Sequence, residues 1–428
     1  MLLNLQNYRI CLCNCKSSKK MEAKLLSKLT SVTIRGNMQH MKALDLKFVD
    51  SIAAIGAQDW NRLTGIENPF TRYEFLWALE KTGCSTDKTG WAPYHAAVYS
   101  GPESDESRQL VAVMPLYQKT NSYGEYVFDW SWASAYQNYG LNYYPKFVSA
   151  VPFTPSHGTR LFTGNSENRS DIAKLIFDGL KRKAESIEAS SWHILFPTEE
   201  ENQLFETIGV PARTACQFHW FNRGYTSFDD FLVTLNSRKR KNIRRERKKV
   251  AEQGTRFETI TGASITAEHW ATFYQFYQST YMMRGMQGYL SQSFFFELGQ
   301  QMPEQLFMII ALDGETIIAA ALFFRNNEKL FGRYWGSARD YQFLHFETCY
   351  YQGQEYCIEH KLKSFDSGAQ GEHKIARGFE PIITYSNHWI ANEGFAEAIN
   401  KFLDEERPHI EQYLAEASTL LPFKKKAN

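Results

Sequence analysis

One order of elements occurs twice along this chain of 428 residues, and such a repeat leaves few folds open. In the first half, His95–Tyr99, Leu110–Gln118 and Gly124–Trp132 have the apolar, β-branched and aromatic composition of strands, with a Gly/Pro/Ser/Asp-rich turn over 101–107. A long aromatic stretch follows, then Asp171–Ile187, whose Ile172, Leu175, Ile176 and Leu180 share one helical face. Trp192–Phe196 reads as a buried strand. The second half repeats this order. Phe307–Leu312 is a strand, Asp313-Gly314 a hairpin turn, and Thr316–Arg325 and Leu330–Trp335 are strands. A helix is expected over Phe343–Leu362, and Ser364–Asp366 begins another strand. The pattern predicts an α/β chain of two similar domains, with mixed sheets flanked by helices. We place the domains at 46–223 and 224–428, dividing near Arg223-Gly224. Residues 1–45 read as a disordered tail or a mis-assigned start, with Met38 or Met41 as the alternative first residue. They carry Cys11, Cys13 and Cys15 in alternation, followed by Lys16, Lys19, Lys20 and Lys24.

The charge is distributed unevenly. Lys and Arg total 48 against 47 Asp and Glu, a net charge of +1. Yet nine of the twelve residues from Arg238 to Lys249 are basic and only Glu246 is acidic, so this run carries +8 and the rest of the chain sums to −7. It is expected on a helix starting near Ser227–Phe231, with Leu232, Leu235, Ile243 and Val250 as a narrow apolar stripe. Like charges packed this closely on a helix repel one another, and the simplest compensating partner is phosphate. The ordinary alternative is a solvated helix face with no ligand.

No stretch approaches the roughly 20 apolar residues needed to span a bilayer. Cys84, Cys216, Cys349 and Cys357 are scattered. On one helix the last two would stand about 12 Å apart, beyond the reach of a disulfide, so we expect a reducing, cytoplasmic setting.

The run Ser237–Val250 (SRKRKNIRRERKKV), the segment FGRYWG at Phe331–Gly336, and the block Leu344–Ile390 with its GAQGEHKIARGF core resemble a family of bacterial predicted N-acyltransferases. That family is related to the FemAB-type aminoacyltransferases that build peptidoglycan cross-bridges, and the resemblance runs from about Phe75 to Leu414. It implies two tandem acetyltransferase-like (GNAT) domains. It also implies transfer of an acyl or aminoacyl group to an amine on a phosphate-bearing, cell-wall-precursor substrate, with aminoacyl-tRNA or acyl-CoA as co-substrate. The sequence departs from acetyl-CoA enzymes of that fold at Gly336–Gln342, which lacks the glycine pair of a pyrophosphate-cradling loop.

Acyl transfer to an amine needs a neutral amine, a polarised carbonyl and close approach, and proximity can supply much of the rate. The acid/base candidates are Glu347, near His345 at the start of the long helix, and Glu372 and His373 in a glycine-flanked turn. Lys239, Arg240, Arg244 and Arg245 are expected to hold phosphate and Arg377 to clamp a phosphate or carboxylate, while Arg333, with Tyr334 and Trp335 on the same strand, either lines an acceptor groove or packs in the core. The bland readings are a helix-terminal carboxylate for Glu347, a structural imidazole for His345 and a solvated turn for Glu372 and His373. The aromatic segment Trp130–Pro155 is either a substrate platform or a buried loop. No metal is expected, since no histidine pair has His-Glu-x-x-His spacing, and no Gly-x-Ser-x-Gly elbow occurs. The alternatives to an enzyme are a non-catalytic nucleic-acid or tRNA-binding protein and an inactive GNAT-like module in envelope assembly.

Overall fold

The computed structural model describes residues 44–101, 103–104, 108–164, 168–369 and 371–424. The expected tail lies outside these residues, except that Leu44 and Asp45 open the first strand. In chain order the strands are β1 (Leu44–Val49), β2 (Trp91–Pro93), β3 (His95–Ser100), β4 (Gln109–Met114), β5 (Tyr117–Lys119), β6 (Lys146–Ser149) and β7 (Ser191–Leu195). They continue as β8 (Ala212–Phe221), β9 (Thr255–Thr261), β10 (Leu306–Asp313), β11 (Thr316–Arg325), β12 (Lys329–Ser337), β13 (Ser364–Asp366) and β14 (Glu380–Ile390). β1, β3 and β4 form a 3-stranded sheet, and the others join one 11-stranded sheet ordered β2-β5-β6-β7-β14-β8-β13-β12-β11-β10-β9.

The repeat is visible in this order. β5 pairs antiparallel with β6 and β6 parallel with β7, just as β11 pairs antiparallel with β12 and β12 parallel with β13. Each parallel pair is joined by a helical crossover, because parallel neighbours cannot be linked by a tight turn. The crossovers are Arg169–Ile187 and the long helix that begins at Leu344 and ends at Glu359. The final strands are exchanged. β8 lies between β13 and β14, and β14 lies between β7 and β8, so each half ends inside the ladder of the other. The mixed α/β class and the twofold repeat both hold.

Four local expectations need correction. Leu110–Gln118 is not one strand but β4 and β5, which lie in different sheets. Gly124–Trp132 is not the third strand of the first half; β6 is. Gly124 (φ 77°) and Tyr126 (φ 59°) sit in the left-handed region, which breaks an extended run, and Trp130–Asn138 is helical. The basic run does not share a helix with Ser227–Phe231. Ser227 caps a short helix, Phe228–Thr234, while Asn236 caps Ser237–Glu252 by accepting from the Lys239 N–H at 3.0 Å. The crossover helix of the second half contains a π-turn at Glu347–Tyr351.

The halves also share an apolar core. Phe70 lies 5.0 Å from Phe324 and 5.1 Å from Phe331, and Phe75 lies 5.5 Å from Phe294, ring centroid to centroid. A buried polar chain crosses the exchanged strands. His193 of β7 and His388 of β14 are register partners whose Nδ1 atoms meet at 2.7 Å. His193 Nε2 lies 3.1 Å from the Tyr143 hydroxyl, which donates to Asp129 at 2.7 Å. Lys146 in turn donates to Asp129 and, at 2.9 Å, to Glu125.

Burial pushes His193 down from 6.5 to about 3 and His388 well below 6.5. Below pH 6.5 the unfolded chain takes up protons that the folded chain refuses, so this contribution to stability is complete above that pH and is lost progressively as pH falls toward about 3. Urea midpoints should therefore drop between neutral pH and about pH 4, and His193→Asn should reduce that slope. The exchange gives a second expectation. A fragment of residues 46–223 should not fold alone, because β8 has no ladder partner within it; circular dichroism and gel filtration would detect a folded, monomeric fragment if this is wrong.

Candidate active site

A cleft of ≈ 730 Å³ opens where β8 meets the crossover helix of the second half. Cys216 and Phe218 of β8, His345 and Tyr350 of the helix, Glu372 and His373 of the turn, Tyr413 of the C-terminal helix and Arg284 all line it. The turn owes its shape to glycine. Gly371 has φ 123°, and a side chain there would meet the His373 ring at 2.5 Å; Gly378 has φ 85° and is closed in by Phe231 at 2.8 Å. Lys374, buried between them, pins the turn by donating to the carbonyls of Ser367 (3.0 Å) and Gly368 (2.8 Å).

His373 Nε2 lies 2.9 Å from the Tyr350 hydroxyl, and its ring is 6.2 Å from that of His345. Burial, reinforced by nearby cations, pushes both imidazoles down to about 4, with Arg377 and Lys374 facing each of them and Arg284 also facing His345. Both are therefore neutral at physiological pH and able to accept a proton or a hydrogen bond. Exposed Glu372 accepts from the Tyr413 hydroxyl at 3.1 Å.

Of the groups singled out in the sequence, Glu372 and His373 face the cleft, with Arg377 directly behind them. Arg377 donates to the His373 carbonyl (2.7 Å) and to Glu246 (2.8 Å), and its guanidinium lies 3.5 Å over the Phe346 ring. Glu347 does not line the cleft. It accepts from Arg247 (2.9 Å) and Gln352 (2.8 Å), and Arg247 also holds Glu355 at 2.8 Å. Burial raises the Glu347 carboxyl, against the pull of Arg247. Arg333 is paired with Asp366 at 2.6 Å and lines a smaller inner pocket that shares His345 and Tyr350 with the cleft. Lys239 and Arg240 are half-buried, while Arg244 and Arg245 are exposed and Arg244 pairs with Asp229 at 2.8 Å.

Sequence reasoning missed Glu246, which it noted only as the single acid of the basic run. This carboxylate accepts from Arg377 and from the Tyr351 hydroxyl, tying the basic helix to the turn. Its spacing from Ile243 and Val250 is the signal that places it on the inward face. Tyr350, Tyr413 and Arg284 carried no comparable signal. Among the described residues no cluster of three or more His, Cys, Asp or Glu could hold a metal ion, and no helix is long and apolar enough to cross a membrane.

A family model described as FemAB-like, peptidoglycan biosynthesis/recognition, matches residues 51–425. No curated protein matches the sequence. Among solved structures, the chain is similar to the C-terminal domain of a candidate lysylphosphatidylglycerol synthetase from Agrobacterium fabrum, with 11% identity over 82% of this chain and 96% of that one and a TM-score of 0.47. It is similar to FemX, with 12% identity over 74% and 91% and a TM-score of 0.44. It is similar to a tandem GNAT protein from the clavulanic acid biosynthesis pathway, with 9% identity over 82% and 99% and a TM-score of 0.44. At such identities and scores none of these bears on function.

The Glu246 anchor is testable by contrast with an exposed pair. Side-chain exposures are 7% for Arg377 and 14% for Glu246, but 57% and 74% for Arg244 and Asp229. Glu246→Ala strands a buried guanidinium and should cost about 3 kcal/mol in urea unfolding, whereas Arg244→Ala should cost under about 1 kcal/mol.

Proposed function

This chain belongs to the FemAB-like family and is a transferase, and from that premise we propose that it moves an aminoacyl group from charged tRNA onto the amine of a phosphate-bearing cell-wall precursor, in the cytoplasm. The observation that carries this reading is the Tyr350–His373 pair, held at 2.9 Å on the wall of a cleft large enough for two substrates to meet. The two halves, 46–223 and 224–428, divide the work. The second supplies most of the cleft wall, and the first contributes β8.

In the reaction a neutral amine attacks the acyl carbonyl. A C–N bond forms, the ester C–O bond of the donor breaks, and the proton lost by the amine ends on the released hydroxyl. His373, neutral and hydrogen-bonded to Tyr350, accepts and relays that proton, and alignment of the two substrates supplies most of the acceleration. Glu372 draws the acceptor toward the turn as its ammonium, which gives one proton to solvent before the neutral amine attacks. Arg377 fixes His373 through its carbonyl, and Glu347 acts at one remove by holding Arg247 against the crossover helix. Lys239, Arg240, Arg244 and Arg245 bind phosphate on the helix anchored beside the cleft, and Arg333 forms the inner wall. Charged tRNA is favoured over acyl-CoA because the stretch 336–342 has a single glycine where a pyrophosphate cradle needs two.

The test offers charged tRNA and acyl-CoA separately, with nucleotide-linked muropeptide acceptors, and detects product by mass spectrometry. Transfer should occur from charged tRNA, and His373→Ala should lower kcat about 100-fold with donor binding retained. Replacing Lys239, Arg240, Arg244 and Arg245 with Gln should weaken donor binding and flatten its dependence on salt. Absence of both binding and transfer with either donor class would overturn the reading.

A further inference from the structure

We infer that the cleft selects an acceptor whose reacting end carries a free carboxylate beside the amine, and that Arg284 is the residue that binds this carboxylate. This rests on the acyl-transfer reading above and narrows the acceptor's chemical class. Arg284 lies in the segment joining the helices Ala267–Met282 and Gln292–Gln301, and it carries the sole formal charge between Glu268 and Glu297. It lines the cleft together with Glu372 and the Tyr350–His373 pair.

The segment is pinned on both sides of Arg284. Before it, Gly336 of β12 lets the helix Ala267–Met282 come so close that a side chain at 336 would meet the Phe276 carbonyl oxygen at 2.1 Å. The Thr280 hydroxyl donates to the Trp335 carbonyl at 3.0 Å. After it, the Gly288 N–H donates to Gln278 Oε1 at 3.1 Å, and a side chain on Gly288 would meet the Tyr277 ring at 2.4 Å. Between these anchors Gly285 turns the chain at φ 71°. The guanidinium is thus carried on a short arch tied to β12, the strand that also bears Arg333.

Pairing sets Arg284 apart from the other cations nearby. Arg377 is held by Glu246, Arg333 by Asp366, and Lys374 by two carbonyls. Among the described residues no carboxylate pairs with Arg284 and no side-chain hydrogen bond holds it. Of the described residues lining the cleft, Arg284 is the one cation and Glu372 the one anion, because His345 and His373 are neutral at physiological pH. The cleft therefore offers one positive and one negative group beside the proton-accepting pair. That set complements a zwitterion, with the ammonium on Glu372 and a planar carboxylate on the guanidinium, which can bind it through two parallel N–H donors. A phosphate monoester in the same place carries about two charges and would leave one of them unmet.

The experiment measures binding of acceptor fragments to the full chain by calorimetry, with no donor present. The fragments are muropeptides whose reacting end bears the amine with a free α-carboxylate, with the carboxamide, with neither group, or with a phosphonate in place of the carboxylate. The carboxylate form should bind about tenfold tighter than the carboxamide, and the margin should shrink at high salt because Arg284 is exposed. Arg284→Gln should erase the margin with carboxamide binding unchanged, and Arg284→Lys should keep part of it. If a variant does not fold, the wild-type panel alone decides the matter. Equal binding of the carboxylate and carboxamide forms, or a margin that survives in Arg284→Gln, would overturn the carboxylate site and leave acyl transfer standing. Tighter binding of the phosphonate than of the carboxylate would overturn the choice of anion. A carboxylate preference with no transfer from any donor would overturn the transfer reading and leave the site standing, and no binding of any fragment would overturn both.

Discussion

The exchange of β8 and β14 is the constraint on which the rest of the structure depends. A strand's backbone donors and acceptors must be paired once buried, and those of β8 are paired to β13 on one side and β14 on the other. Each half therefore completes its ladder only in the presence of the other, and the cleft forms at this seam. Cys216 and Phe218 of β8 reach it because β8 lies inside the second half's sheet. The His193–His388 contact and the Phe70 cluster, both across the halves, fix the relation of the two ladders from the core side.

The two parallel pairs show what duplication leaves free to diverge. At the start of the β6–β7 pair, Lys146, Asp129, Glu125, Tyr143 and His193 form a buried, hydrogen-bonded polar cluster. In the second half Asp366 is spent on Arg333 at the opposite end of the parallel pair, where the β12–β13 ladder stops, and a cavity remains between Arg333 and Ser367. The same topology thus carries buried polar groups at the start of one parallel pair and at the finish of the other. The difference lies in the side chains at the strand ends, not in the order of strands.

Charge follows a similar logic. The basic helix is not uniformly available to a ligand. Arg247 is committed to Glu347 and Glu355, Arg244 is paired with Asp229, and Lys248 and Lys249 lie near Glu252. The single acid in the run, Glu246, meets the buried guanidinium of Arg377, which holds the Gly371–Gly378 turn. A helix that looks like a free cationic surface in one dimension is in three dimensions a strut, with its remaining charges displayed outward.

The repeat, the crossover helices and most second-half strands were legible in the sequence because hydrophobic period and turn chemistry are local, set by residues three or four positions apart. Glu372 and His373 were legible for a related reason, since a glycine-flanked polar turn after a strand is itself a local pattern. Gly124–Trp132 misled because strand composition was overridden by two left-handed residues, which composition does not encode. By itself, then, the sequence determined the fold class and the position of the turn. Only the tertiary structure decided which charges are spent and which are free. Glu246 finds Arg377 across 131 positions and Arg247 finds Glu347 across 100, and pairing at such separations is set by how the sheet brings distant segments together.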